Sequence, residues 1–316
     1  MSTTANSPGR RQEAGTTPAA DRGATYRSVW RDLLTTEFRQ GFVAAGGLNT
    51  RYVQAGSAEA PAVVMLHGTG GHWETFSRNL PFLADSFDCY ALDMVGCGFT
   101  DKPDRPYVVE EYVNHVLAFM DAMGIEKASF IGVSLGSWVA SRLALTAPQR
   151  VDRLILNAAS GLLPLPPGAA KAASDRHASA LNPTWSSVEA VLDHLFYDTN
   201  SLSEDIIAIR QQVHSLPGME KTMGRMLTLF DPEIRRRNLL TSDEWASITA
   251  PTLAVAHVDA PDDYLETART IVTLMPHASL LEIREASHWP HFEQPARFNQ
   301  AALEFLRGST AGPSAR

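Results

Sequence analysis

Gly132, Val133, Ser134, Leu135 and Gly136 read G-x-S-x-G, and the residues on either side give that pattern its meaning. The apolar run Ala128-Ser129-Phe130-Ile131 leads into it and is short enough for a buried parallel strand. Ser137 to Leu145 follows, with Trp138, Ala140, Leu143 and Ala144 at helical spacing. A serine on a tight strand-to-helix turn can act as a nucleophile, because small flanking residues tolerate a strained backbone and leave the hydroxyl exposed. The helix that begins there aims backbone N–H groups at charge developing on a substrate oxygen.

A hydroxyl is a poor nucleophile at neutral pH. It needs an imidazole to accept its proton and a carboxylate to orient that imidazole. His288 lies in Ala286-Ser287-His288-Trp289-Pro290, just after the strand-like Leu280-Leu281-Glu282-Ile283. Asp259 is the expected acid: it follows the apolar run Leu253-Ala254-Val255-Ala256, where a strand ends and a loop begins, and Asp262 and Asp263 close behind are the alternatives. Serine, acid and histidine thus stand in one of the chain orders known for this chemistry.

A third element fits the same reaction. Val63-Val64-Met65-Leu66 reads as a buried strand, with the glycine-rich turn His67-Gly68-Thr69-Gly70-Gly71 at its carboxyl end. The N–H of Leu135, with that of Thr69 or Gly70, forms the expected oxyanion hole. No Gly-Lys-Ser/Thr follows, which argues against a phosphate-binding loop.

The elements that must hold these residues are legible from residue 38 onward. Phe38 to Val43 and Thr50 to Gln54 alternate around Gly46-Gly47, predicting an antiparallel hairpin. Strand candidates recur at 62–66, 88–92, 128–133, 153–157, 252–256 and 279–283. Helices are predicted between most of them, among them Glu111 to Met123, and Ala296 to Leu306 follows the last. Such alternation predicts an α/β fold with a mainly parallel central sheet, helices on both faces, and catalytic residues at the carboxyl ends of strands. Residues 158–245 break the alternation. Their patterns around Val188 to Leu195, Ile206 to Val213 and Thr222 to Phe230 are helical, predicting an inserted lid between core segments 25–157 and 246–310.

Composition narrows the partners. A 316-residue chain with 44% hydrophobic and 20% charged residues can bury one large core, and a net charge of −8 disfavours nucleic acid and anionic membranes. The expected partner is a small-molecule substrate, with a homo-oligomer left open. Arg235-Arg236-Arg237 is the one cationic run and reads as a solvated helix face. Cys89 and Cys97 are too few for a disulfide scaffold and lack metal-ligand spacing, so both are expected reduced. Residues 1–24 are rich in Ser, Thr, Ala, Gly and Pro and lack an apolar signal core, predicting a disordered tail and a cytoplasmic protein.

Over residues 38–307 the chain resembles the α/β-hydrolases. The likeness is carried by His67 to Gly71, by Asp93-Met94-Val95-Gly96-Cys97-Gly98-Phe99-Thr100-Asp101-Lys102-Pro103, by the Ser134 elbow and by Ser287 to Pro295. Within that superfamily it is similar to the meta-cleavage-product hydrolases, which hydrolyse C–C bonds in ring-fission products, and to their ester-cleaving relatives. The resemblance implies a helical lid after the sixth strand, no cofactor, and a triad of Ser134, His288 and Asp259. Substrate contacts are expected from His67, Trp289, Arg210 and Arg225, with His194 as a further lid candidate.

Three departures from the C–C hydrolases bear on the reaction. Val133 stands where they usually carry Asn, and Val188 to Tyr197, taken as the matching lid helix, contains no Arg for a substrate carboxylate. Asp259 also lies one position earlier than the usual spacing from Pro251. The first two favour a cofactor-free serine esterase acting on small carboxylic esters with an aromatic or apolar acyl part. The alternative is C–C hydrolysis of a meta-cleavage product. A dehalogenase-type relative is disfavoured by a serine rather than a carboxylate at the elbow, and a non-catalytic ligand-binding module by the intact triad.

Overall fold

Residues of successive sheet positions divide between two cores. On one strand, Val63 and Met65 enter the apolar cluster that contains Trp73, Phe76, Leu80 and Phe298, while Val64 and Leu66 enter the cluster with Tyr112, Val116, Trp138 and Leu143. A strand buried on both faces reads as a continuous apolar run, which is why its sequence does not alternate.

The computed structural model describes residues 28–165, 168–259 and 262–308; the tail read over 1–24 lies outside the described residues. Eight strands form one sheet: β1 (Phe38–Ala45), β2 (Leu48–Ala55), β3 (Ala62–Leu66), β4 (Asp88–Leu92), β5 (Ala128–Val133), β6 (Val151–Asn157), β7 (Thr252–His257) and β8 (Ala278–Ile283). Their order is β1-β2-β4-β3-β5-β6-β7-β8. β2 runs antiparallel to β1 and β4, and every other pairing is parallel. The hairpin turns through Gly46 and Gly47 as expected, and the helix Val109–Met123 ends at Gly124 in the left-handed region.

Between β6 and β7 the chain builds helices at Ala169–Leu181, Trp185–Asp193, Glu204–His214, Met219–Met226, Pro232–Asn238 and Ser242–Ser247. Side-chain caps start four of them: Thr184, Ser203, Asp231 and Thr241 each accept a hydrogen bond from a backbone N–H of the first turn. Val188, Leu192, Ile206 and Ile207 turn inward against Trp289 and Phe292, fastening this insertion to the core. Among the described residues no helix is long and apolar enough to cross a membrane.

One local reading changes. Arg236 and Arg237 lie exposed and pair with Glu233, as a solvated face should. Arg235, one residue earlier, turns inward, places its guanidinium 4.9 Å from the Trp138 ring and donates through Nε to the Leu163 carbonyl at 3.2 Å. Adjacent helix positions are about 100° apart, so a run of three cations cannot share one face. Cys89 and Cys97 are free and buried, and burial pushes both thiols up, Cys97 to about 12.

Candidate active site

Ser134 sits where β5 ends and the helix Leu135–Thr146 begins, with φ 52° and ψ −112°. Its N–H donates to the Asn157 carbonyl at 3.0 Å, and its own carbonyl accepts from Ser137 Oγ at 2.6 Å. Ser137 Oγ in turn accepts from Ser160 N at 2.9 Å, tying the elbow to the chain that enters the lid. The flanking glycines are a steric requirement. A Cβ on Gly132 would collide with the Gly136 carbonyl, and one on Gly136 with that of Leu66. The strained nucleophile is thus over-determined by its surroundings, as such backbones must be to persist.

Ser134 faces a cavity of about 410 Å³. Its floor is Gly68, Thr69, Leu135, His288 and Trp289; its roof is lid residues, including Arg176, His194, Arg210, Phe230 and Arg235. Burial, with His257 nearby, pushes the His288 imidazole down to about 3, against the opposing pull of Asp262. His288 is therefore neutral at physiological pH, the state a general base requires. Tyr264 completes this wall: it lines the cavity, and its ring centroid lies 4.7 Å from that of His288.

The expected acid is displaced. Asp259 is not brought to His288: one carboxylate oxygen accepts the Glu285 N–H at 2.6 Å, and the other lies 3.9 Å from Arg284. Asp262 lines the cavity instead. It accepts from His257 Nε2 at 2.6 Å and from Tyr264 N at 3.1 Å, and its charge acts on His288. The early position of Asp259 in the loop is the sequence signal for this: a side chain shifted by one residue after a strand points elsewhere.

In the glycine-rich loop, Gly70 is not part of the cavity lining and Gly71 N donates to the Gly68 carbonyl at 2.9 Å, so Thr69 and Leu135 are the donors left facing the cavity. His67 does not line the cavity. It accepts from Met94 N at 3.0 Å through Nε2, which leaves Nδ1 as the protonated nitrogen, donating to the Gly68 carbonyl at 2.7 Å. Its role is to hold the loop. Beneath the loop, buried Arg51 is ion-paired with Glu74 and with Asp93 at 3.2 Å, while Asp93 accepts from Trp73 N at 2.8 Å and Phe99 N at 2.9 Å.

The four expected substrate contacts separate. Trp289 lines the cavity, edge-on to Phe196 at 5.3 Å. Arg225 is drawn away into an ion pair with Asp104. Arg210 lines the cavity on helix Glu204–His214, 5% exposed, with its Nη1 3.8 Å from where a Cβ on Gly70 would stand. Its buried Nε has no hydrogen-bond partner, and no described carboxylate pairs with it. Burial pushes this guanidinium down to about 10, yet still charged. An arginine thus reaches the cavity from the next helix, not from Val188 to Tyr197. Sequence reasoning missed Arg176, His257 and Tyr264 altogether and put Arg235 on a solvated face; a cation on an amphipathic helix carries no local sign of which way it points.

A strained serine at an elbow, a neutral histidine and backbone donors under a helical lid define a hydrolase. Residues 63–301 match the model of the alpha/beta hydrolase family, and the chain belongs to that family. It is 28% identical over 281 residues to a 2-hydroxymuconate semialdehyde hydrolase of Pseudomonas sp. (strain CF600), covering 85% of this chain and 94% of that one. It is 27% identical over 278 residues to a 2-hydroxy-6-oxo-2,4-heptadienoate hydrolase of Pseudomonas putida, covering 84% and 95%. The solved meta-cleavage product hydrolase from Pseudomonas fluorescens IP01 is 26% identical and superposes with a TM-score of 0.74, over 85% of this chain and 98% of that one.

Proposed function

We propose that this protein hydrolyses the C–C bond of ring-fission products, 2-hydroxy-6-oxohexa-2,4-dienoates carrying a substituent at C6. The observation that carries the reading is Arg210, a buried cation without a described ion-pair partner in the cavity that Ser134 faces. A buried charge left unpaired is costly, so a site that keeps one is built to receive the opposite charge from its ligand. The dienoate carboxylate is that charge. The names of the relatives support the same reaction. Of the two arguments for ester cleavage, the absent lid arginine is answered by Arg210 and only Val133 remains.

The residues then take the following roles. Ketonisation moves the proton of the 2-hydroxyl to C5, with His288 as carrier. Ser134 Oγ attacks the C6 carbonyl while His288 takes its proton, and the oxyanion rests on the N–H groups of Thr69 and Leu135. Collapse breaks C5–C6. The electron pair passes through the C3–C4 double bond to the oxygen at C2, which is reprotonated to give a 2-hydroxydienoate. The acyl group stays on Ser134 until water, activated by His288, releases it as a carboxylic acid. Asp262 provides the negative charge that favours the imidazolium in both halves.

The test is a side-by-side measurement of kcat/KM for C6-substituted ring-fission products and for p-nitrophenyl esters. The ring-fission products should be the better substrates, and Ser134→Ala should lose about 10⁴-fold or more in kcat. An ester that outranks every ring-fission product would return the assignment to esterase.

A further inference from the structure

β7 is apolar from Leu253 to Ala256 and then ends on a histidine. His257 is 1% exposed, its Nε2 lies 2.6 Å from Asp262 Oδ2, and its Nδ1 is buried with no hydrogen-bond partner. The acceptor is a carboxylate oxygen, so Nε2 bears the hydrogen of that bond. A leucine or valine would fill the same buried place without orphaning a nitrogen, so packing does not account for a histidine here.

Its surroundings show what the ring does. Asp262 lines the cavity and His257 does not, so the imidazole stands behind the carboxylate, away from the substrate. The other oxygen, Oδ1, accepts from Tyr264 N at 3.1 Å, a bond local to the loop. His257 supplies the tie from the acid to the sheet. Its own place is fixed against the strand that leads to the base: His257 pairs in register with Ile283 of β8, and Val258 N donates to the Ile283 carbonyl at 3.2 Å. The Tyr264 ring closes the arrangement, its centroid 5.9 Å from that of His257 and 4.7 Å from that of His288.

We propose that His257 is a positioning residue for the acid: it holds the Asp262 carboxylate from behind and keeps it facing His288. A carboxylate on a loop has rotamer freedom that must be lost before it can orient an imidazole. A buried donor on a strand end removes that freedom in advance. The same tie accounts for Asp262 serving where Asp259 was expected, since Asp259 is bonded to Glu285 N instead. The inference rests on the reading of Asp262 as the acid for Ser134 and His288, and it holds for ester and C–C cleavage alike.

The experiment is a double-mutant cycle of His257 with Asp262, read as kcat and KM on a p-nitrophenyl ester and on a ring-fission product. His257→Leu, and His257→Asn, whose amide stops short of the carboxylate, should each lower kcat about 10- to 100-fold with KM nearly unchanged. His257→Gln, whose amide N–H reaches the place of imidazole Nε2, should recover most of that loss. In the Asp262→Asn background the same changes should cost at most about 3-fold, because a residue that acts through Asp262 has nothing further to lose. Losses that add in full across the cycle would make His257 a scaffold residue and overturn the proposal. Leucine and asparagine variants that match or exceed wild type would overturn it too, an excess meaning that the ring draws the carboxylate away from His288. The two levels fail separately. A crippling Asp262→Asn beside harmless His257 variants overturns the positioning role alone, whereas a mild Asp262→Asn overturns the acid assignment and that role with it. No turnover of any ring-fission product, with the expected cycle on the ester, would overturn the C–C reading and uphold the role of His257.

Discussion

Tyr264 lies against His288 with ring centroids 4.7 Å apart and planes tilted by 58°, and both line the cavity that Ser134 faces. The ring limits where the imidazole can swing. Tyr264→Phe keeps that contact and removes only the hydroxyl, so kcat/KM should stay within about 10-fold of wild type. Tyr264→Ala should fall considerably further. Equal losses in Tyr264→Phe and Tyr264→Ala would show that the ring has no part in positioning His288.

The acid can be assigned by a pair of isosteric changes. Asp262→Asn removes the negative charge that acts on His288, and the cost should approach the roughly 10⁴-fold seen for loss of a triad carboxylate. Asp259→Asn disturbs only a turn, through the bond to Glu285 N, and should stay within a few-fold of wild type in kcat. The opposite ranking, measured on proteins with the same thermal stability, would restore Asp259.

That displacement marks the boundary of what the chain could tell. The elbow, the hairpin and all eight strands were legible because each rests on local pattern: small residues at a turn, apolar runs, alternation. Ser134 and His288 were legible because motif and strand end coincide. The acid was not, since it depends on how a short loop folds back after β7, where one residue of slip decides between Asp259 and Asp262. The lid's cations were not legible either. Arg210, Arg176 and Arg235 enter the cavity while Arg225 and Arg236 turn to Asp104 and Glu233, and tertiary packing alone distinguishes them.

Acid should unfold this protein early. His67, His214, His288 and His291 are pushed down to about 3 and His115 to about 4, in each case foremost by burial. The unfolded chain binds protons at these five positions near the ordinary value of 6.5. Stability is therefore full above about pH 6.5 and is lost as pH falls toward 3, because the unfolded state takes up the protons first. Each histidine contributes a slope of up to about 1.4 kcal/mol per pH unit. Against a typical total of about 5–15 kcal/mol, five together suffice to unfold the chain before pH 4. Thermal melts from pH 7 to pH 4 should show a steep, continuous fall in Tm. A Tm unchanged down to pH 4.5 would contradict the buried neutral state of these rings.

Arg210→Met gives a prediction that runs in two directions. The side chain is 5% exposed, its Nε is without a partner, and no described acid forms an ion pair with it, so it is a desolvated charge that Asp93 and Glu74 offset only from a distance. Methionine fills a similar volume without that cost, so the variant should melt at a temperature equal to or above that of wild type. Function should move the other way. A charge-assisted hydrogen bond contributes about 1.5–3 kcal/mol, and the guanidinium can make two to one carboxylate, so kcat/KM for a ring-fission product should fall by about 10- to 100-fold or more. A neutral ester, which needs only Ser134, His288 and the oxyanion donors, should lose far less. Gain of stability with selective loss of the carboxylate substrate is the signature of a residue kept for its ligand. A variant that melts well below wild type and loses both substrates alike would instead mark Arg210 as part of the scaffold.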